Sequence, residues 1–129
     1  MKVQSSTIEN KYLRVKSINI GACLYEVYDK QKKINLILNL GPTKNYGRKN
    51  FYVGATCGRY AGRISNSKFN IQNKIYKLDG NEGKNTLHGG KIGFNQLEWK
   101  IHHHSKNKIT VFGNFFKKIY FSKKFCFRK

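Results

Sequence analysis

The sequence predicts an all-β, antiparallel fold, and three observations predict it. Apolar residues alternate with polar ones or gather in short blocks, as half-buried and fully buried strands require. Polar or glycine-containing breaks separate these blocks and read as turns. Nowhere do apolar residues keep the i, i+3, i+4, i+7 spacing over the length of an ordinary helix, and no internal repeat is present.

The elements follow in order. Leu13, Val15, Ile18 and Ile20 mark one strand, Cys23 to Tyr28 a second, and Ile34 to Leu40 a third. The breaks Asp29-Lys30-Gln31-Lys32-Lys33 and Gly41-Pro42-Thr43 make this opening a meander. Residues 68–78, KFNIQNKIYKL, place Phe69 and Ile71 before a polar centre and Ile75, Tyr76 and Leu78 after it. That pattern predicts a β-hairpin with an asparagine-containing turn. Leu97 to Ile101 and Lys108 to Phe112 read as two more short strands. Residues 1–114 thus form one part of the chain, and residues 115–129, FFKKIYFSKKFCFRK, a basic aromatic tail. The tail fits a basic amphipathic surface, an edge strand guarded by lysines, or a stretch read out of frame.

With 129 residues, one domain is the upper bound. At this size about two thirds of the unfolded surface can be buried without disulfides or metal. No run reaches the roughly 18 apolar residues of a spanning helix, and the start MKVQSST lacks the apolar stretch of a secretory signal. A soluble cytoplasmic protein is the expectation. Cys23, Cys57 and Cys126 are odd in number, widely spaced and without a CxxC pair. They read as buried or partly buried thiols rather than a disulfide framework or zinc cage.

The formal net charge of +20 invites a nucleic-acid reading. The distribution argues against it, because the excess is spread along the whole chain rather than clustered. Only five of the 26 basic residues are arginine, the residue that makes bidentate and stacked contacts to nucleic acids. Lys, Asn, Ile, Phe and Tyr make up 64 of the 129 residues, and A/T-rich codons specify all five. Base composition accounts for the charge, leaving non-specific adhesion to polyanions as its consequence.

Four features carry candidate chemistry. In Gly58-Arg59-Tyr60-Ala61-Gly62-Arg63, two arginines four apart flank small residues. The guanidinium fork suits carboxylates, phosphates or vicinal sugar hydroxyls, and glycine lets backbone approach closely; two solvated loop arginines are the plain alternative. In Asn85-Thr86-Leu87-His88-Gly89-Gly90, flanking glycines leave a histidine accessible as acid, base or donor, or merely exposed. His102-His103-His104 resembles a metal tract, but neighbours in an extended strand point to opposite faces, so no metal site is expected. Trp99, between Leu97 and Ile101, reads as core rather than as a stacking platform.

In order and spacing, these motifs resemble the N-terminal part of the galactose mutarotase (aldose 1-epimerase) family. The run FYVGATCGRYAGRISNSKFNIQNKIYKLDGNEGKNTLHGGKIGFNQLEWKI, residues 51–101, carries the likeness. It holds a GR-x-A-N-R-I-like arginine motif with one letter changed, a hairpin, an N-x-L-H-G-G motif, then Gly-Phe and a Trp. Ile20 to Leu24 and Asn35 to Leu38 look like the family's opening strands, so the resemblance spans roughly residues 18–112. It implies a large antiparallel β-sandwich (a supersandwich), no metal or cofactor, and interconversion of the α and β anomers of aldoses such as galactose or glucose. It also implies that a carboxylate base takes the C1 hydroxyl proton while an imidazole protonates the ring oxygen. Arg63 would bind the sugar; His88 would contact it near the ring oxygen and act in catalysis.

Two departures matter. The family's Asn before the arginine is Gly62 here, which costs about 1–3 kcal/mol if its sugar partner stays buried and unpaired. Family chains are well over twice as long, and their second histidine and glutamate base have no counterpart to assign here. The expectation is a fragment, out of frame in its last fifteen or so residues, inactive alone and prone to aggregate through open strand edges. A non-catalytic carbohydrate-binding protein and a basic polyanion-binding protein are the rival readings. The preferred aldose and the oligomeric state stay open.

Overall fold

A computed structural model describes residues 2–46, 52–105, 108–114 and 120–126. The chain divides into two compact units, residues 1–56 with 95–129, and residues 57–94. The described residues form antiparallel strands joined by turns and single 3-10 turns, with no α-helix.

The first unit opens with a four-stranded meander. β1 (Ser5–Glu9), β2 (Leu13–Ile18), β3 (Cys23–Asp29) and β4 (Ile34–Asn35) lie in sheet order β1-β2-β3-β4. β1 has no counterpart in the sequence reading, because Ile8 is its only large apolar residue. Its inward face, Ser6 and Ile8, is nonetheless buried. The apolar phase that runs through Leu13 and Val15 changes to Ile18 and Ile20 across a shift in the β2–β3 register between Lys16 and Ser17. An extra residue in the ladder moves the following side chains to the other face.

The strand expected over Ile34 to Leu40 pairs only at Ile34 and Asn35. The Asn35 side chain accepts from Val27 N at 3.0 Å and donates to Ile37 O at 3.0 Å, and Asn39 accepts from Gly41 N. Such local bonds offer the backbone an alternative to the ladder. Leu38 is left 84% exposed.

This unit also contains β9 (Lys100–Ser105), β10 (Lys108–Asn114) and β11 (Tyr120–Cys126), in sheet order β11-β10-β9. β11 lies at the edge of this sheet with Lys123 and Lys124 inside it, which matches one of the three readings of the tail. The expected strand Leu97 to Ile101 is split. Glu98 bridges Ile20, Trp99 N donates to Asn19 O, and the ladder proper begins at Lys100.

Ile18, Ile20, Trp99, Ile109 and Val111 are fully buried, which places Trp99 in the core as expected. Asn19 is buried among them and is satisfied on both sides of its amide. Its Oδ1 accepts from Gln4 N at 2.8 Å, and its Nδ2 donates to Lys2 O and to Glu98 Oε1, each at 3.1 Å. Cys23 is a buried thiol and Cys57 a half-buried one, neither in a disulfide.

The second unit holds two ribbons. β5 (Arg63–Ile64) pairs with β8 (Thr86–Leu87), and β6 (Lys68–Ile71) pairs with β7 (Lys74–Lys77). The second ribbon is the expected hairpin. Gln72 and Asn73 occupy its turn with φ of 48° and 61°, the mirror-image turn that matches strand twist. Phe69 stacks on Tyr76 across it at 5.3 Å. At the unit's neck, Phe94 N donates to Gly58 O at 3.2 Å, and the Phe94 ring fills the space where a Gly58 Cβ would stand.

Candidate functional site

Both residues singled out from the sequence lie in the second unit, side by side. The β5–β8 ladder sets Arg63 opposite Leu87 and Ile64 opposite Thr86. One step outward, His88 N donates to Gly62 O at 3.1 Å, and Gly62 N donates to the Nδ1 of His88 at 3.1 Å. The histidine ring therefore replaces a backbone carbonyl as the partner of Gly62. With Nδ1 accepting, the neutral ring carries its hydrogen on Nε2.

The local backbone produces this arrangement. His88, Gly89 and Gly90 all have positive φ, 48°, 97° and 83°. Histidine tolerates that region better than most residues, and glycine enters it without penalty. At Gly89 the requirement is also spatial, because a Cβ there would run into the Gly58 carbonyl.

The turn is held from beneath by side chains. Asn81 Oδ1 accepts from Leu87 N at 2.7 Å, and its Nδ2 donates to Leu87 O at 3.0 Å and to Gly90 O at 3.2 Å. Thr86, fully buried, donates from Oγ1 to Asp79 O at 3.1 Å.

Arg63 is gripped by a carboxylate. Its Nε and Nη2 donate to the two oxygens of Glu82 at 2.6 and 2.7 Å, a bidentate pair. The Arg63 and Glu82 side chains are 63% and 36% exposed. The hydrogen bond from Arg63 holds the Glu82 carboxyl below the usual carboxylate range, against some desolvation and with help from the charges of Arg63 and His88. Nearby, burial pushes the Tyr60 phenol up, with the Asp79 carboxylate adding to the rise and Arg59 opposing it.

The sequence reading named Arg63 and His88 but missed Glu82 and Asn81. One signal was available for the first: with six acids against 26 basic residues, any acid close to a motif arginine is conspicuous. Asn81 gives no such signal, since an asparagine in a polar loop is ordinary. Arg59 is exposed in the turn preceding β5. His102, His103 and His104 fall within β9, and their side chains lie outside the described residues, as does that of Cys126.

The family model described as Aldose 1-epimerase matches residues 4–117. The chain belongs to the aldose 1-epimerase family. That match is wider than the span over which the sequence motifs are evident. Galactose mutarotase from Sus scrofa is 37% identical over 100 residues, covering 75% of this chain and 29% of that protein. Aldose 1-epimerase from Haemophilus influenzae is 35% identical over 111 residues, covering 82% of this chain and 32% of that protein. Among solved structures, the aldose epimerase homologue from C. elegans superimposes with a TM-score of 0.78 at 28% identity, covering 87% of this chain and 36% of that one. Galactose 1-epimerase from Lactobacillus acidophilus gives 0.71 at 28% identity, covering 88% and 39%. The all-β antiparallel architecture is thus an aldose 1-epimerase one, and the chain spans about a third of the length of these curated relatives.

Proposed function

We propose that this chain carries the sugar-recognition part of an aldose 1-epimerase, with Arg63 and His88 as the residues that meet the sugar. The observation that supports the reading most is the bond from Gly62 N to His88 Nδ1, next to Arg63 in the β5–β8 ribbon. It leaves the Nε2 hydrogen as the one an aldose ring oxygen would receive. Arg63 supplies guanidinium hydrogens of the kind that take neighbouring hydroxyls.

In the reaction so read, a carboxylate base removes the C1 hydroxyl proton as the imidazole protonates the ring oxygen. The bond from C1 to the ring oxygen breaks, the open aldehyde turns about its C1–C2 bond, and closure on the other face returns both protons. General acid and base each contribute on the order of a hundredfold to ten-thousandfold. No residue of these 129 is assigned as the base, so the reading is of a cytoplasmic chain that binds galactose or glucose but does not by itself interconvert their anomers.

The test is titration of the 129-residue chain with each aldose, followed by amide shifts, beside polarimetry of freshly dissolved α-galactose. Saturable binding that weakens at least tenfold in Arg63→Ala and in His88→Asn, with no acceleration of mutarotation, is expected. Binding indifferent to both substitutions overturns the assignment of the site.

A further inference from the structure

We infer that Glu82 is a positioning residue for this site: it holds the Arg63 guanidinium by one edge so that the other edge is presented to sugar hydroxyls. The inference rests on the sugar-binding reading above. The Glu82 carboxylate engages Nε and Nη2, which form one side of the fork. The Nη1 group and the second Nη2 hydrogen lie outside that pair and match the spacing of two neighbouring hydroxyls.

Glu82 is itself placed by the turn that carries His88. Its backbone N donates to Asn85 O at 3.2 Å, and Asn85 N donates to Glu82 O at 2.9 Å. The preceding residue, Asn81, bonds Leu87 on both its N–H and its carbonyl. The Asn81-Glu82 dipeptide therefore fastens the histidine turn with one side chain and the arginine with the next. An exposed ion pair adds little to global stability, so this geometry has its effect on the side chain it orders rather than on the fold. An arginine ordered in advance loses less rotamer freedom when a ligand arrives.

The experiment titrates the full 129-residue chain with galactose, comparing Glu82→Gln, Glu82→Asp and Glu82→Ala, each also in an Arg63→Ala background. Expected are a three- to tenfold weakening in Gln and Ala, recovery of most of it in Asp, and no further effect of Glu82→Gln once Arg63 is gone. Among the described residues, Arg63 and His88 are the titratable groups whose electrostatics lower Glu82. Acidification through the lowered Glu82 titration should weaken binding more in the unaltered chain than in Glu82→Gln, which has no carboxylate to protonate.

Equal binding by Glu82→Gln and the unaltered chain overturns the positioning role and leaves the sugar reading intact. An unaltered chain that binds no aldose overturns both. Loss of the folded amide spectrum in both Gln and Asp variants would make the pair structural, and also overturns the role.

Discussion

The backbone amide of Gly62 donates to Nδ1 of His88 at 3.1 Å, while the amide of His88 donates back to the carbonyl of Gly62. This exchange fixes which ring nitrogen carries the hydrogen in neutral His88. The 15N spectrum of the imidazole should show a protonated Nε2 and an unprotonated Nδ1. A proton on Nδ1 would remove the acid role proposed for Nε2.

Gly62 is the changed letter of the arginine motif, and the structure leaves room for an asparagine there. Nothing lies within 4 Å of a Cβ built there, and its φ of 77° is in the region asparagine enters more readily than most residues. Gly62→Asn should fold with a melting temperature within about 3 °C of the parent. An amide added beside a sugar hydroxyl is worth about 1 kcal/mol. Calorimetric titration should therefore show galactose binding tightened by about fivefold, and unchanged affinity would place the sugar elsewhere.

The Arg63–Glu82 pair has a signed pH dependence. The carboxyl titrates lower in the folded chain than in the unfolded one, so its stabilising effect is present above the ordinary carboxylate range and is lost as pH falls through the depressed value. Carbon-13 titration of the Glu82 carboxyl should place its midpoint below that of a free glutamate. In Arg63→Gln the midpoint should rise, because the guanidinium hydrogen bond that chiefly lowers it is removed.

Asn19 ties the start of the chain to Glu98, the residue before Trp99. Replacing it by leucine keeps the volume but orphans Gln4 N and leaves Lys2 O and Glu98 Oε1 without their donor. Urea unfolding of Asn19→Leu should show a loss of about 2–4 kcal/mol. A loss below about 1 kcal/mol would mean that water replaces the amide at this position.

Much of this fold was legible from local pattern. β2, β3, the β6–β7 hairpin and β10 coincide with apolar blocks bounded by turn residues, although the hairpin leaves Ile71, Ile75 and Tyr76 exposed. What escaped was set by partners distant in sequence. β1 is recognisable only from its pairing with β2, and β5 and β8 are two-residue ladders that exist because Gly62 and His88 bond across them. The over-long strand at Ile34 failed for the opposite reason: asparagine side chains captured backbone groups that an apolar pattern assigns to a ladder. At the site, motif order identified Arg63 and His88, whereas Glu82 and Asn81 act through side-chain bonds that no spacing announces.

The neck between Gly58 and Phe94 makes residues 57–94 a loop whose two ends are tied to each other. The entropy of closing such a loop rises only with the logarithm of its length. Its tip, at Gln72-Asn73, is therefore a place where residues can be gained or lost cheaply over evolutionary time. The same closure keeps Arg63 and His88 together on one loop, so that an insertion at the tip need not part them.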